Sequence, residues 1–270
     1  MREYLDLVNR VLTHGVRKQN RTGVDTLCCF AEHYSVDIGA GFPLLTTKKV
    51  NFNSMLREVL WYLSGEDHIR NLRQHTRIWD AWADEEGNLD TAYGRYWRRF
   101  PSAVQDPVTG AYAVVEIDQI GKVIELLKTD PNSRRMVVTA WEPGNAHSSK
   151  LPPCHYTFAF NVLDGRLNCH LTQRSGDIAL GIPFNLAAYS LLTRILAREA
   201  ALLPGVFSHT IVDAHIYVNH IDGLKDQLGR TPLPLPELEI ARKPLDMLTF
   251  EDFSLVGYDP HPAIKFQVAV

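Results

Sequence analysis

LPPCHYTFAFNVLDGRLNCHLTQRSGDIALGIPFNLAAY, residues 151–189, is the stretch on which the reading of the chain turns. Two alternating runs, Tyr156–Val162 and Arg166–Leu171, flank Asp164-Gly165, a strong short-range signal for a two-residue hairpin turn. On the second run Leu167, Cys169 and Leu171 alternate with Arg166, Asn168 and His170, which predicts Cys169 as a core thiol. That strand leads into Gln173-Arg174-Ser175-Gly176-Asp177. A Gly181-Ile182-Pro183-Phe184-Asn185 turn then opens an apolar helix predicted over 186–203. Cys154, Arg174, Asp177 and Asn185 each stand near the end of a regular element. At such positions side chains can converge on a ligand while a rigid scaffold holds them.

The 270 residues are long enough for a substantial core, and no internal repeat or linker divides them, so one domain over 1–270 is expected. A net charge of −3 argues against nonspecific binding to nucleic acid or anionic membranes, which calls for a basic excess. No apolar run is long enough to cross a bilayer, and the N-terminal MREYLDLVNR lacks the apolar core of a signal peptide. Cys28, Cys29, Cys154 and Cys169 form no CxxC pair, and no histidine cluster lies near them at zinc spacing. Free thiols in a reducing cytoplasm are therefore expected, with no metal.

From the N-terminus, Leu5, Val8, Val11 and Leu12 recur at helical spacing up to Gly15. Asn20-Arg21-Thr22-Gly23 is a turn, and Thr26–Asp37 reads as a strand. In the helix predicted over 53–64, Glu58 shares a face with Met55, Val59 and Tyr62. It is either a desolvated carboxylate suited to proton transfer or a buried structural partner of an arginine. Trp79, Trp82, Tyr93 and Trp97 could be core or a stacking wall for a flat ligand. A further helix around Ile120–Leu127 precedes Pro131-Asn132-Ser133, which delivers Arg134 and Arg135 into a strand predicted over 136–141. As neighbours on a strand these arginines point to opposite faces, and a solvated pair is the default. His215 and Tyr217 share one side if Asp213–Tyr217 is a strand. The tail after Pro260 is either a docked strand or a flap.

A lone cysteine is more often inert than nucleophilic. Beside Cys154, however, two prolines fix the backbone, His155 adds polarity, and Arg174 could lower the thiol pKa. Adjacent Cys and His project differently, which disfavours a cysteine–histidine protease. Arg21, Arg134, Arg135 and Arg174, with Arg98, suggest an anionic substrate such as a phosphate. No Walker or GxGxxG loop is present.

LPPCH, QRSGD, GIPFN and DAHIY stand in the order and near the spacing of the thymidylate synthase family. So do NRTG, FPLLTTKK, the Glu58 helix, IWDAWADE, YGRYW, PNSRR and the ending DPHPAIK–VAV. The chain resembles that family over essentially its whole length. The resemblance implies an α+β, three-layer fold: a mixed sheet with helices on one face, the other face forming a homodimer interface. It implies reductive methylation of dUMP to dTMP with 5,10-methylenetetrahydrofolate as co-substrate, and no metal, flavin, membrane or obligatory nucleic acid.

By the same resemblance Cys154 is the nucleophile at C6 of the uracil, in a catalytic set with Glu58, Tyr93, Arg174, Asn185 and His155. Arg21, Arg174, Ser175 and the partner's Arg134 and Arg135 would bind phosphate. Asn185 would read the base, His215 and Tyr217 would hold the ribose, and Asp177 would contact both nucleotide and folate. Lys48, Ile78, Trp79, Trp82, Leu180, Gly181 and Val270 complete the implied folate site. The sequence departs from the common family pattern at Asp90-Thr91-Ala92, Tyr96, Thr172, Gly176 and Ala179. These departures leave open a related pyrimidine nucleotide hydroxymethylase, in which water replaces hydride at the last step. Retained Asn185, Trp79, Trp82 and the VAV ending favour methylation of a uracil nucleotide.

Overall fold

The structure is a computed structural model and describes residues 1–89, 91–146 and 149–268. In chain order its elements are α1 (Arg2–His14), β1 (Val16–Lys18), β2 (Thr26–Asp37), α2 (Phe52–Ser64), α3 (Tyr93–Arg98), β3 (Phe100–Gln105), β4 (Tyr112–Ile117), α4 (Gln119–Thr129) and β5 (Val137–Thr139). They continue with α5 (Pro143–Ala146), β6 (Thr157–Leu163), β7 (Arg166–Asp177), α6 (Gly181–Glu199), β8 (Leu203–Tyr217), α7 (Ile221–Leu228), β9 (Glu237–Ile240) and β10 (Phe253–Val256).

A six-stranded sheet in the order β1-β2-β8-β7-β6-β5 forms the frame, and two separate hairpins pair β3 with β4 and β9 with β10. Within the frame β7 and β8 are parallel and the other pairs antiparallel, so the sheet is mixed. The β6–β7 hairpin turns at Asp164 and Gly165, both at positive φ (48° and 70°), the turn whose twist matches the strands it joins. Helix α6 makes the crossover between the parallel strands. Its residues are buried nearly all round, Leu186, Leu191, Ile195 and Leu196 completely, as its unbroken apolarity predicts.

One irregularity in the sheet positions the site. On β8 the buried residues are 205, 207, 209 and 211, and then 214 and 216. On β7 they are 167, 169, 171 and 173, and then 176. On β2 they are 34 and 36 on one side of Ala31; beyond it Leu27 and Cys29 pack on the core, while Thr26, also buried, lines the groove. Ala31 has φ 56°. The ladder pairs Glu32 with Ile211 and Phe30 with Asp213, and pairs Gln173 with Ile211 and Ser175 with Asp213. Ala31, Val212 and Arg174 therefore stand at one level of three adjacent strands, and the pleat slips there by one residue in each. A slip of one residue sends every later side chain to the opposite face. Asp213, His215 and Tyr217 consequently leave the side that Phe207, His209 and Ile211 give to the core.

Several boundaries differ from the sequence expectation. The GIPFN segment is the first turn of α6 rather than a turn before it, because proline is tolerated where helical amides have no partner. The helix stops at Glu199. Ala201 takes a left-handed conformation (φ 55°) and Leu202 N–H closes on Ala197 O at 2.8 Å, so Leu203 already belongs to β8. Strand β5 is only 137–139. The described tail beyond Pro260 is neither strand nor detached: the Phe266 ring packs at a tilt against His220 with centroids 5.0 Å apart, and His220 Nε2 pairs with Gln267 O at 2.8 Å.

Helices α2 and α3 cross at Gly94, where an added Cβ would lie 2.7 Å from Tyr62 O and 3.1 Å from Tyr62 Cα. The obstruction is backbone, so no rotamer relieves it. Gly94→Ala should cost about 1–3 kcal/mol in denaturant unfolding by forcing the helices apart, and an unchanged midpoint would refute this close approach.

Candidate active site

Cys154 sits after the Pro152-Pro153 corner, alongside the strand that carries Arg174. The Arg174 amide donates to Cys154 O at 2.9 Å, and its guanidinium donates to Pro153 O (3.0 Å) and Pro152 O (2.6 Å). Arg174 Nη2 also lies 3.5 Å from Cys154 Sγ. Burial pushes the thiol pKa up, while Arg174 and then Arg21 pull it down. The cations thus offset part of the desolvation that would otherwise keep the sulfur protonated.

The thiol opens into a groove of about 630 Å³. Arg174, Ser175 and Asp177 line it from β7, and Asp213, His215 and Tyr217 from β8. Arg21 and Thr22, in the predicted turn, close one side, and Trp82 and Leu151 another. Asp177 Oδ1 accepts the amides of Ala179 (2.8 Å) and Leu180 (3.3 Å), tying the end of β7 to the start of α6. His215 Nδ1 lies 3.0 Å from Asp213 Oδ1. That hydrogen bond, with further ones from Lys18 and Cys28, holds the Asp213 carboxyl well below the usual range.

Behind the thiol is a drier layer. The Cys154 amide donates to the Tyr93 hydroxyl at 2.7 Å, and the Tyr93 ring stacks on His155 with centroids 3.6 Å apart. His155 Nδ1 pairs with the Tyr189 hydroxyl at 2.7 Å, and burial pushes its pKa down to about 3, so it is a neutral ring. Glu58 Oε1 accepts from Trp79 Nε1 at 2.7 Å. Its partners are tryptophan and tyrosine rather than an arginine, and burial raises its pKa to about 7. Glu58, His155 and Asn185 border a small void of about 10 Å³, close to the space one water needs. Asn185 thus faces the dry layer beside Glu58. Tyr93 and Trp97 are core, whereas Trp82 lines the groove.

The remaining predicted residues are more scattered. Arg134 and Arg135 are exposed just before β5 and do not line their own chain's groove. Lys48 is buried, not a surface cation: its ammonium donates to Ala179 O and lies 4.7 Å from the Phe266 ring centroid. Burial lowers its pKa to about 8 against an opposing pull from Asp177. Ile78 is exposed beside Trp79, and Leu180 and Gly181 begin α6. Val270, and Asp90 among the departures, lie outside the described residues.

Lys18, Cys28 and Asp213 also face the groove and were not singled out from the sequence. Only Asp213, two residues before His215, carried a local signal. Two departures now have contacts. Thr91 Oγ1 lies 2.7 Å from Ser149 Oγ and donates to Leu151 O at 3.0 Å, and the Tyr96 hydroxyl accepts from Asn145 at 3.1 Å. Both fasten the segment leading to Cys154. A side chain at Gly176 would strike Ile182 Cδ1 at 2.6 Å and Ile211 Cγ2 at 3.0 Å, so isoleucine occupies that space instead.

A mixed sheet that presents a thiol beside a guanidinium, at the floor of a groove rimmed by arginine, serine and histidine, suits attack on an anionic ligand. The family model described as thymidylate synthase matches residues 2–270. Thymidylate synthase of Haloferax volcanii is 45% identical over 326 aligned positions, covering 98% of this chain and 95% of the relative. The chain belongs to the thymidylate synthase family.

Glu58 supplies a pH test. Its folded-state pKa, about 7, exceeds the ordinary 4.5, so the stability it contributes is complete below 4.5 and is lost as pH rises towards 7. Relative to wild type, Glu58→Gln should therefore gain about 2–3 kcal/mol between those limits, read from denaturant midpoints. A difference that stays flat with pH would contradict the desolvated carboxylate.

Proposed function

We propose that this chain is a thymidylate synthase, converting dUMP to dTMP with 5,10-methylenetetrahydrofolate and releasing dihydrofolate. The observation that carries the reading is Cys154 Sγ held 3.5 Å from Arg174 at the floor of the groove, in a chain of this family. Carbon 5 of uracil is a poor nucleophile. Thiolate addition at carbon 6 makes the ring an enolate whose carbon 5 can attack a one-carbon unit. Arg174 favours the thiolate and, with Arg21 and Ser175, would meet the phosphate at the open side of the groove.

Asn185 would read the base: its amide can accept from N3–H and donate to O4, and cytosine presents the opposite polarity. His215 and Tyr217 would hold the ribose hydroxyl. Glu58, with a pKa near neutrality beside a water-sized void, would relay protons through water. Tyr93, steadied by the His155 stack, would take part in removing the C5 proton. The folate supplies the methylene and then the hydride, so the chemistry calls for no flavin or metal. Asp177, Trp79, Trp82, Ile78, Leu180 and Gly181 would receive it, with Val270 closing over it, and Lys48 would meet its glutamate tail by leaving the Ala179 carbonyl it now holds.

The reading includes one domain over 1–270, a cytoplasmic location consistent with four free cysteines, and a homodimer. The sheet face away from the helices supports the pairing. Phe30 is 84% exposed there, and Val137 and Val206 are exposed as well. Pairing of two such faces would cover them and bring the partner's Arg134 and Arg135 to the phosphate.

Incubation with dUMP and methylenetetrahydrofolate should give dTMP with one dihydrofolate each, and Cys154→Ser should lose this turnover by several orders of magnitude. 5-Hydroxymethyl-dUMP without dihydrofolate would identify a hydroxymethylase instead. Mixing inactive Arg135→Ala and Cys154→Ala subunits should restore part of the activity. Mixed dimers without recovery would reject a site shared between subunits.

A further inference from the structure

Beside the thiol–guanidinium pair the groove contains a second constellation, of which the proposed function uses only His215. Cys28 and His215 face each other across the β2–β8 ladder, and Asp213 lies two residues before His215 on the same side. The slip in the pleat turns Asp213 and His215 out of the core side, and Cys28 meets them in the groove. Cys28 Sγ, Asp213 Oδ1 and a His215 ring nitrogen all lie within 4.8 Å of one another. Sγ is 3.1 Å and His215 Nδ1 3.0 Å from the same carboxylate oxygen. Among the described residues no other group of three such donors converges in this way.

We propose that Cys28, Asp213 and His215 form a binding site for a borderline-soft divalent cation of the zinc class. Thiolate, imidazole and carboxylate are the donor types such an ion selects. A tetrahedral ion with bonds of about 2.0–2.3 Å sets its ligand atoms roughly 3.3–3.7 Å apart, so Asp213 Oδ1 needs to draw back from each of the other two donors by only about half an ångström, and the sulfur and the imidazole nitrogen, within 4.8 Å of each other, need to close by about an ångström at most. Lys18 Nζ donates to the other carboxylate oxygen, Asp213 Oδ2, at 2.7 Å. It fixes the orientation of the carboxylate while leaving Oδ1 for the ion, as an outer partner of a metal ligand does. The protein supplies three ligands, and the fourth position faces the groove.

In the metal-free protein the same contacts are closed by protons: the Cys28 thiol donates to Asp213 Oδ1, and His215 Nδ1 shares a hydrogen with that oxygen. Binding the ion releases the thiol proton to solvent and moves the imidazole proton to Nε2, so that Nδ1 is free to ligate. The chain then gains one net positive charge in the groove. His215 is also the residue assigned above to the ribose, so the ion and the nucleotide would exclude each other. That consequence rests on the proposed function, whereas binding of the ion does not. The site is then inhibitory, and the cysteine at position 28 is what creates it. The four cysteines show no metal spacing along the chain because only strand pairing brings residue 28 to residues 213 and 215.

The test is titration of the full chain with Co²⁺ alone, followed by absorption. One equivalent should bind with a thiolate-to-cobalt charge-transfer band. The band should vanish in Cys28→Ser, need at least tenfold more metal in Asp213→Asn, and persist in Cys154→Ser and Cys29→Ser. A wild type without the band, a band surviving in Cys28→Ser, or a band lost in Cys154→Ser would overturn the site. In turnover, Zn²⁺ should inhibit competitively with dUMP. Cys28→Ser should raise its inhibition constant at least tenfold and leave zinc-free activity intact, which also shows that the variant is folded. Equal zinc sensitivity in Cys28→Ser would count against the proposal. A cobalt band that behaves as expected but is untouched by dUMP would support the site and overturn the placement of ribose at His215.

Discussion

The grip of Arg174 on the Cys154 corner is the interaction on which the rest of the site depends. One residue of β7 uses its amide to hold Cys154 O and its guanidinium to hold Pro152 O and Pro153 O, and it still reaches the sulfur. Two prolines leave the corner no amide donors of its own at residues 152 and 153, so its carbonyls must find donors elsewhere. A neutral side-chain amide has two N–H donors as well but carries no charge. The fork of a guanidinium satisfies both and adds the charge that favours a thiolate.

Arg174 can reach because it stands at the slip in the pleat. Above that level alternate residues of β7 and β8 enter the core, and below it the same parity faces the groove. Ser175, Asp177, Asp213, His215 and Tyr217 therefore project together from two parallel strands, while Gly176, Ala214 and Ile216 keep the core closed behind them. The left-handed Ala31 on β2 continues the same step. Conformations of this kind are costly and persist where their surroundings over-determine them.

The two layers around Cys154 hold opposite electrostatic conditions. On the open side Arg21, Arg174 and Lys18 face an aqueous groove. On the closed side burial keeps His155 neutral and raises Glu58 to about 7, so proton-carrying groups remain uncharged or poised near neutrality. The departures at Thr91 and Tyr96 belong to this boundary, since each fastens the segment that delivers the prolines.

Sequence alone determined much of this protein. The DG turn, the alternation that buries Cys169, the all-apolar helix and the shared face of Glu58 with Met55, Val59 and Tyr62 are local consequences of periodicity and turn chemistry. Ordered motifs from NRTG to DPHPAIK carried the family. Other features depended on contacts between distant residues. No local pattern announces that three strands slip together, because each strand alone reads as ordinary alternation with one irregular step. Nor does spacing reveal that Lys48 is buried against Ala179 O, that GIPFN is already helical, or that Cys28 meets Asp213. Periodicity is a property of neighbours in the chain. Convergence of residues 28, 154, 174 and 215 is set by ladder register and by what the helices cover, and only the folded sheet decides that.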